Sequence, residues 1–201
     1  MRWSGLLLAT ACFAAGPIPE DKKSPVRDEE WMNTRMGRDA MLHSSQQLDV
    51  EGKLVDIPGR LLAVEIALGG KVVLVKTTTV LASFEATTLK LIQKTDYPIV
   101  KGGGSMHGLA VAKDGKSVLV SGGKTHLYRA TLAVDGSFKF GDSIDVSGGA
   151  KNVNPLGLAF SADGKFAYVA LSVDNSLAII DLTSGKITDK VSLGIAPYGV
   201  A

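Results

Sequence analysis

The chain has 201 residues, 45% of them hydrophobic and 21% charged, which is enough apolar material for one substantial core and excludes a disordered polypeptide. Its 22 basic and 20 acidic residues are spread along the sequence and leave a formal net charge of +2, so no basic stripe tracks a phosphate backbone and nucleic acid is not an expected partner. No segment offers about 20 consecutive uncharged apolar residues, and no transmembrane segment is expected.

The first 15 residues form a predicted signal peptide: Arg2 precedes an apolar run that closes on Ala14, Ala15 and Gly16. Cys12 lies inside it as the only cysteine. "LATAC" resembles a lipoprotein signal in which Cys12 would be lipidated, but Ala9 stands where such signals favour Leu, so a cleaved peptide is the preferred reading. The mature chain then has no disulfide and no thiolate metal site. The expected location is the periplasm or the exterior of the cell.

Residues 16–42 follow as a flexible linker, rich in charge and proline and without a sustained period of 2 or 3.6. Trp31 is its one large aromatic. From residue 43 the composition turns to short Val/Ile/Leu/Ala runs separated by Gly, Asp and Asn, the pattern of short strands and tight turns. Three stretches within 58–100, 101–150 and 151–195 superimpose on their first turn glycines, Gly70, Gly115 and Gly164, at spacings of 45 and 49 residues. That period fits a four-stranded unit.

In the third unit "LGLAFSA" is strand one and "DGK" (163–165) a hairpin turn, because glycine accepts the positive φ such turns need. "FAYVALS" is strand two, "VDN" (173–175) the next turn, "SLAIIDL" strand three and "ITDKVSL" a more polar fourth strand. Strands one to three are apolar on both parities, as expected of a sheet sandwiched between neighbours. A lone sheet of this kind leaves two apolar faces wet, which predicts radial stacking.

"LGLAFSADGKFAYVALSVDNSLAIIDLTSGK" resembles the YVTN-type (YncE-like) β-propeller repeat: Tyr168-Val169-Ala170, Asn175, Ile180-Asp181 and Gly185-Lys186 fall in register with its pattern. The second unit keeps "HGLAVAKDGK", replaces the Asn turn with Gly122-Gly123 and adds "VDGSFKFGDSIDVSGGAKN"; the first keeps Gly69-Gly70-Lys71 without the Asp. The run as a whole looks like the start of exported bacterial proteins in which such a propeller precedes an alkaline-phosphatase-like phosphoesterase domain. The resemblance implies an all-β, incomplete propeller of three four-stranded blades, with "APYGVA" (196–201) as the first strand of a fourth and "GKLVDI" (52–57) as an outer strand that latches the ring. A chain of this kind is expected to be part of a larger protein and to self-associate through its open blade faces.

The candidate chemistry is sparse. His107 and Ser105, in "GGGSMHGLA", belong at the start of an inner strand and are the candidate ligand-binding residues at the channel mouth. His43 and His126 have no evident partner, and three scattered histidines do not have metal-site spacing. "SGGKTH" (121–126) lacks the first glycine of a phosphate loop, and His107 occupies the final glycine position of a nucleophile elbow. Asp114, Asp163, Asp174 and Asp181 sit at turns or strand ends, where backbone hydrogen bonding accounts for them; Lys116, Lys165 and Lys186 read as solvated edge charges. The expectation is a non-catalytic binding or scaffold segment for an unknown protein or small-molecule ligand, with no catalytic residue, metal or cofactor. The alternative is a propeller-type lactonase with His107 as its central residue; a metal-containing redox propeller ranks last, since it needs several inner-strand histidines.

Overall fold

The structure is a computed structural model that describes residues 39–41, 47–49, 55, 57, 59–98 and 103–201. The expected signal peptide, Cys12, Trp31, His43 and most of the linker and of the latch strand lie outside the described residues. The chain divides into two compact units, Met1–Lys53 and Leu54–Ala201. In the first, β1 (Asp39–Met41) pairs antiparallel with β2 (Gln47–Asp49), so a strand falls within the segment read as linker.

The second unit is three antiparallel sheets laid down in chain order. The first blade runs β3 (Leu61–Ala67), β4 (Val72–Thr77), β5 (Val80–Glu85) and β6 (Leu91–Asp96). The third runs β12 (Pro155–Phe160), β13 (Phe166–Leu171), β14 (Ser176–Asp181) and β15 (Lys186–Ser192), matching the strands read from its repeat. The middle blade is β7 (Gly104–Val111), β8 (Ser117–Gly122) and β9 (His126–Leu132), completed by β10 (Phe138–Phe140) and β11 (Ile144–Asp145), which pair one after the other with β9. The additional residues of this repeat thus divide its fourth strand into two. Among the described residues there is no α-helix, only a 3-10 turn at Leu68–Gly70, and no helix is long and apolar enough to cross a membrane.

The turns form for the reasons their sequences suggest. Asp114 accepts hydrogen bonds from the Lys116 and Ser117 N–H groups, Asp163 from Lys165 N–H and Asp181 from Thr183 and Ser184 N–H, each folding the chain back on itself. Asp174 accepts from the Ser176 hydroxyl and pairs with Lys190 at 2.9 Å. Asn175 takes the left-handed conformation, φ 51°, and Gly115, Gly164 and Gly185 do the same at their turns.

Side chains alternate across each strand, so each sheet has two faces, and the blades bury them against one another. Leu74 and Leu81 of the first blade meet Leu109, Val118, Val120, Tyr128, Ala130 and Leu132 of the second. The opposite face of the second blade, through Leu119, Leu127 and Ile144, meets Leu158, Val169, Leu171, Ala178 and Ile180 of the third. Each such aliphatic side chain contributes about 1.5–3 kcal/mol on full burial, so these two joints carry the hydrophobic stabilisation of the fold. The outward faces differ: Val64 and Ile66 of β3 are 50% and 65% exposed, whereas Leu109 and Leu158, at the position of Val64 in the later repeats, are 5% exposed. Beside them Val75, Ala82 and Phe84 form a small cluster with Ile57 and Val73. β6 and β15 are the wet outer strands that a polar fourth strand predicts.

Candidate site on the inner strands

The inner strands β3, β7 and β12 hold the residues singled out from the sequence, and two repeat positions govern their geometry. Seven residues before the turn glycines stand Ala63, Gly108 and Gly157; six residues after them stand Lys76, Ser121 and Ala170. At the second joint the glycine is required by close approach: a Cβ on Gly108, where φ is +82°, would lie 1.9 Å from the Leu156 carbonyl oxygen. At Gly157 the same approach comes from residues 196–201. They form no ladder of their own but run along the inner edge of the third blade, where Gly157 N–H donates to the Tyr198 carbonyl at 2.8 Å. "APYGVA" therefore occupies the place that the inner strand of a following blade takes.

The first joint is built differently. Ala63 replaces the glycine, and Lys76 reaches across from β4 with its ammonium fully enclosed. Its Nζ donates to the carbonyls of His107, Gly108 (3.1 Å) and Ser121 (2.8 Å), and lies 2.9 Å from Ser121 Oγ and 3.4 Å from Ser105 Oγ. Burial pushes the Lys76 amine down to about 7. Five oxygens surround it, three backbone carbonyls and two serine hydroxyls. Its stem passes Gly104, where a Cβ would sit 3.2 Å from Lys76 Cε and 3.1 Å from the Tyr97 ring. The Tyr97 hydroxyl donates to the Thr77 and Val80 carbonyls, its ring stacks on Tyr128 at 5.1 Å, and burial raises its phenol far above the ordinary range.

The structure separates the two candidate residues. Ser105 is buried, 4% exposed, inside the oxygen cluster; its Oγ is 2.5 Å from Ser121 Oγ and donates to the His107 carbonyl at 3.0 Å. His107 turns its carbonyl into the cluster and its ring outward, stacked on Tyr198 with centroids 5.2 Å apart. Tyr198 is 52% exposed. Glu65, on β3, lies within electrostatic reach of His107: burial raises its carboxyl above the usual range, while a hydrogen bond from the Ile66 backbone and the charge of His107 act to lower it. A shallow pocket of about 450 Å³ opens beside Glu65 between Leu109, Lys113, Leu158 and Phe160. His126 is elsewhere, its Nδ1 2.8 Å from Thr125 Oγ1.

Among the described residues no three His, Cys, Asp or Glu side chains gather as a metal centre. A larger groove of about 660 Å³ between the second and third blades contains Asp114, Asp163 and Arg129. Both aspartates serve their turns, and Arg129 Nη1 donates to the Leu182 carbonyl at 2.9 Å, tying one blade to the next. Lys76, Tyr198 and Glu65 were not singled out from the sequence. Lys76 is legible in retrospect as one charge within the apolar run "VVLVKT", at a position that is Ser or Ala in the other repeats.

No family model matches the chain, and no curated protein does. Solved structures do. The periplasmic gluconolactonase of Pseudomonas aeruginosa is similar with a TM-score of 0.56 and 20% identity, over 68% of this chain and 40% of that one. A functionally unknown protein of Desulfotomaculum acetoxidans has a TM-score of 0.57 and 20% identity, over 76% and 50%. The Swd1 β-propeller domain of Myceliophteria thermophila has a TM-score of 0.58 and 15% identity, over 69% and 43%. The chain thus spans half or less of each of these structures. At such identities the likeness establishes the fold: Leu54–Ala201 is an incomplete β-propeller of three blades.

Proposed function

We propose that the chain is a non-catalytic binding segment of a YVTN-type propeller in an exported protein, whose inner strands present His107, Tyr198 and Glu65 to a protein or small-molecule ligand. One observation carries this reading. Among the described residues, His107 of an inner strand stacks on Tyr198 with Glu65 nearby, while the turn aspartates Asp114, Asp163 and Asp181 are engaged with their own loops. A stacked aromatic pair beside a carboxyl can bind a flat or polyhydroxylated ligand without any chemistry. The repeat pattern and the predicted signal peptide support export, and the resemblance supports a phosphoesterase domain elsewhere in the parent protein. Assay of the chain with a generic phosphoester tests the non-catalytic reading: no turnover is expected, and robust hydrolysis refutes it.

The second reading is a lactone hydrolase fragment, favoured by Glu65 lying within electrostatic reach of His107 and by the gluconolactonase among the similar folds. It predicts hydrolysis of a sugar lactone that is lost in His107→Ala. Self-association through the outward apolar faces of the first and third blades belongs to the same proposal; sedimentation velocity at several concentrations tests it, with a monomer at every concentration as the opposing result.

A further inference from the structure

We propose that Lys76 is a positioning residue for His107: its ammonium is the built-in cation of an oxygen cage formed by the β7 bulge, and it holds the backbone from which the His107 ring reaches Tyr198. The functional consequence rests on the proposed ligand-facing role of His107, whereas the positioning itself is testable without any ligand.

The bulge is the first observation. From Gly104, paired with Gly122, to Leu109, paired with Val120, five steps of β7 pass only two of β8. On β12 the corresponding stretch, from Pro155 opposite Leu171 to Leu158 opposite Val169, takes three steps against two. A bulge this deep removes carbonyls from the sheet ladder, and buried carbonyls need a donor from elsewhere. Those of His107 and Gly108 find it in Lys76 Nζ, which belongs to the neighbouring blade and, among the described residues, has no carboxylate within the cage.

The repeat itself supplies the second observation. Where the next blade's carbonyl approaches a glycine, at Gly108 and Gly157, the position of Lys76 holds Ser121 or Ala170. Only where Ala63 replaces that glycine does a lysine appear. A methyl group at residue 63 forbids the close approach made at Gly108, and the long ammonium side chain reaches carbonyls left farther away. Ala63 and Lys76 therefore act as a pair. The serines complete the cage: Ser121 Oγ donates to the His107 and Gly108 carbonyls, and Ser105 Oγ closes the remaining side. Enclosure by neutral oxygens alone is costly for an ammonium unless every N–H is matched, and here five acceptors surround three donors.

The test uses the full chain, with the His107 ring proton resonance as reporter, assigned by its loss in His107→Gln. Stacking on Tyr198 displaces that resonance by ring current; His126, on another strand, is the internal reference. In Lys76→Met the expected results are a fall in Tm of roughly 5–10 °C and a His107 resonance moved to its unstacked position with His126 unchanged. A folded Lys76→Met protein that keeps the His107 resonance in place overturns the proposal. Should that variant not fold, Lys76→Ser is compared with Ala63→Gly/Lys76→Ser, which installs the pair used by the middle blade. The double variant is expected to melt several degrees above the single one with His107 stacked again; a double variant no better than the single, or unfolded, overturns it equally.

Discussion

The two joints between blades perform the same task with different chemistry. At the second, glycine lets the neighbouring carbonyl come close, the packing is aliphatic through Leu119, Leu127, Val169 and Ile180, and Arg129 adds one hydrogen bond to the Leu182 carbonyl. At the first, an alanine keeps the carbonyls away, a buried ammonium reaches them, and an aromatic group of Tyr97, Tyr128 and Phe140 fills the space further out. The difference teaches that a propeller repeat conserves a spatial relation, not a residue type. At the first inner edge the His107 and Gly108 carbonyls are met by a lysine, at the second the Leu156 carbonyl lies against Gly108, and at the third Gly157 N–H donates to the Tyr198 carbonyl.

The comparison can be broken most severely at Gly108. Alanine there combines a positive φ with a Cβ 1.9 Å from a backbone oxygen, so Gly108→Ala is expected to lose roughly 3 kcal/mol or more in a urea melt. The same change at Gly157, where the φ is not left-handed and the nearest atoms, of residues 198–200, lie 2.6–2.7 Å away, costs less, and equal losses at the two sites contradict the account. Next in size is Ile180→Ala, which empties a fully buried position of the second joint and is expected to cost about 2–4 kcal/mol. Val191→Ala, on the exposed outer strand of the same blade, is expected to stay within about 0.5 kcal/mol.

pH sharpens the contrast, because the first joint encloses a buried amine. With the folded amine of Lys76 lowered to about 7, the unfolded chain binds the extra proton between pH 7 and its ordinary value of 10.5. Stability attributable to this residue is then smallest at and below pH 7 and climbs as pH rises through that window. Lys76→Met is expected to remove the slope; an identical pH dependence in the variant counts against a titrating Lys76. The smallest effect belongs to the turns. Slight burial of Asp114 works against it, but hydrogen bonds from the Ser117 hydroxyl and the Ser117 and Lys116 N–H groups hold its carboxyl below the usual range. Its contribution is present above the ordinary carboxylate pKa and lost as pH falls through the folded value. Asp114→Ala should lower Tm by a few degrees at pH 7 and have no effect near pH 2.

The third blade was legible almost strand by strand, since its turns carry Asp-Gly-Lys, Asp-Asn and Ser-Gly, whose local hydrogen bonds specify the reversals whatever surrounds them. The divided outer strand of the middle blade was not, because β10 and β11 are short and are held by β9 instead of by their own pattern. At the candidate site, His107 and Ser105 were visible as unusual residues at a strand start, but burial separates their roles: one turns out to Tyr198, the other closes the cage. Tyr198 and Lys76 acquire meaning only through contacts with residues 91 and 31 positions away, which no local pattern encodes.

The central claim is that the middle blade is buried on both faces by copies of its own architecture. Hydrogen–deuterium exchange followed strand by strand tests it most directly. The amides of β8 and β9 are predicted to exchange slowest and those of β6 and β15 fastest. Equal protection across all strands, or greater protection in β15 than in β8, would contradict it.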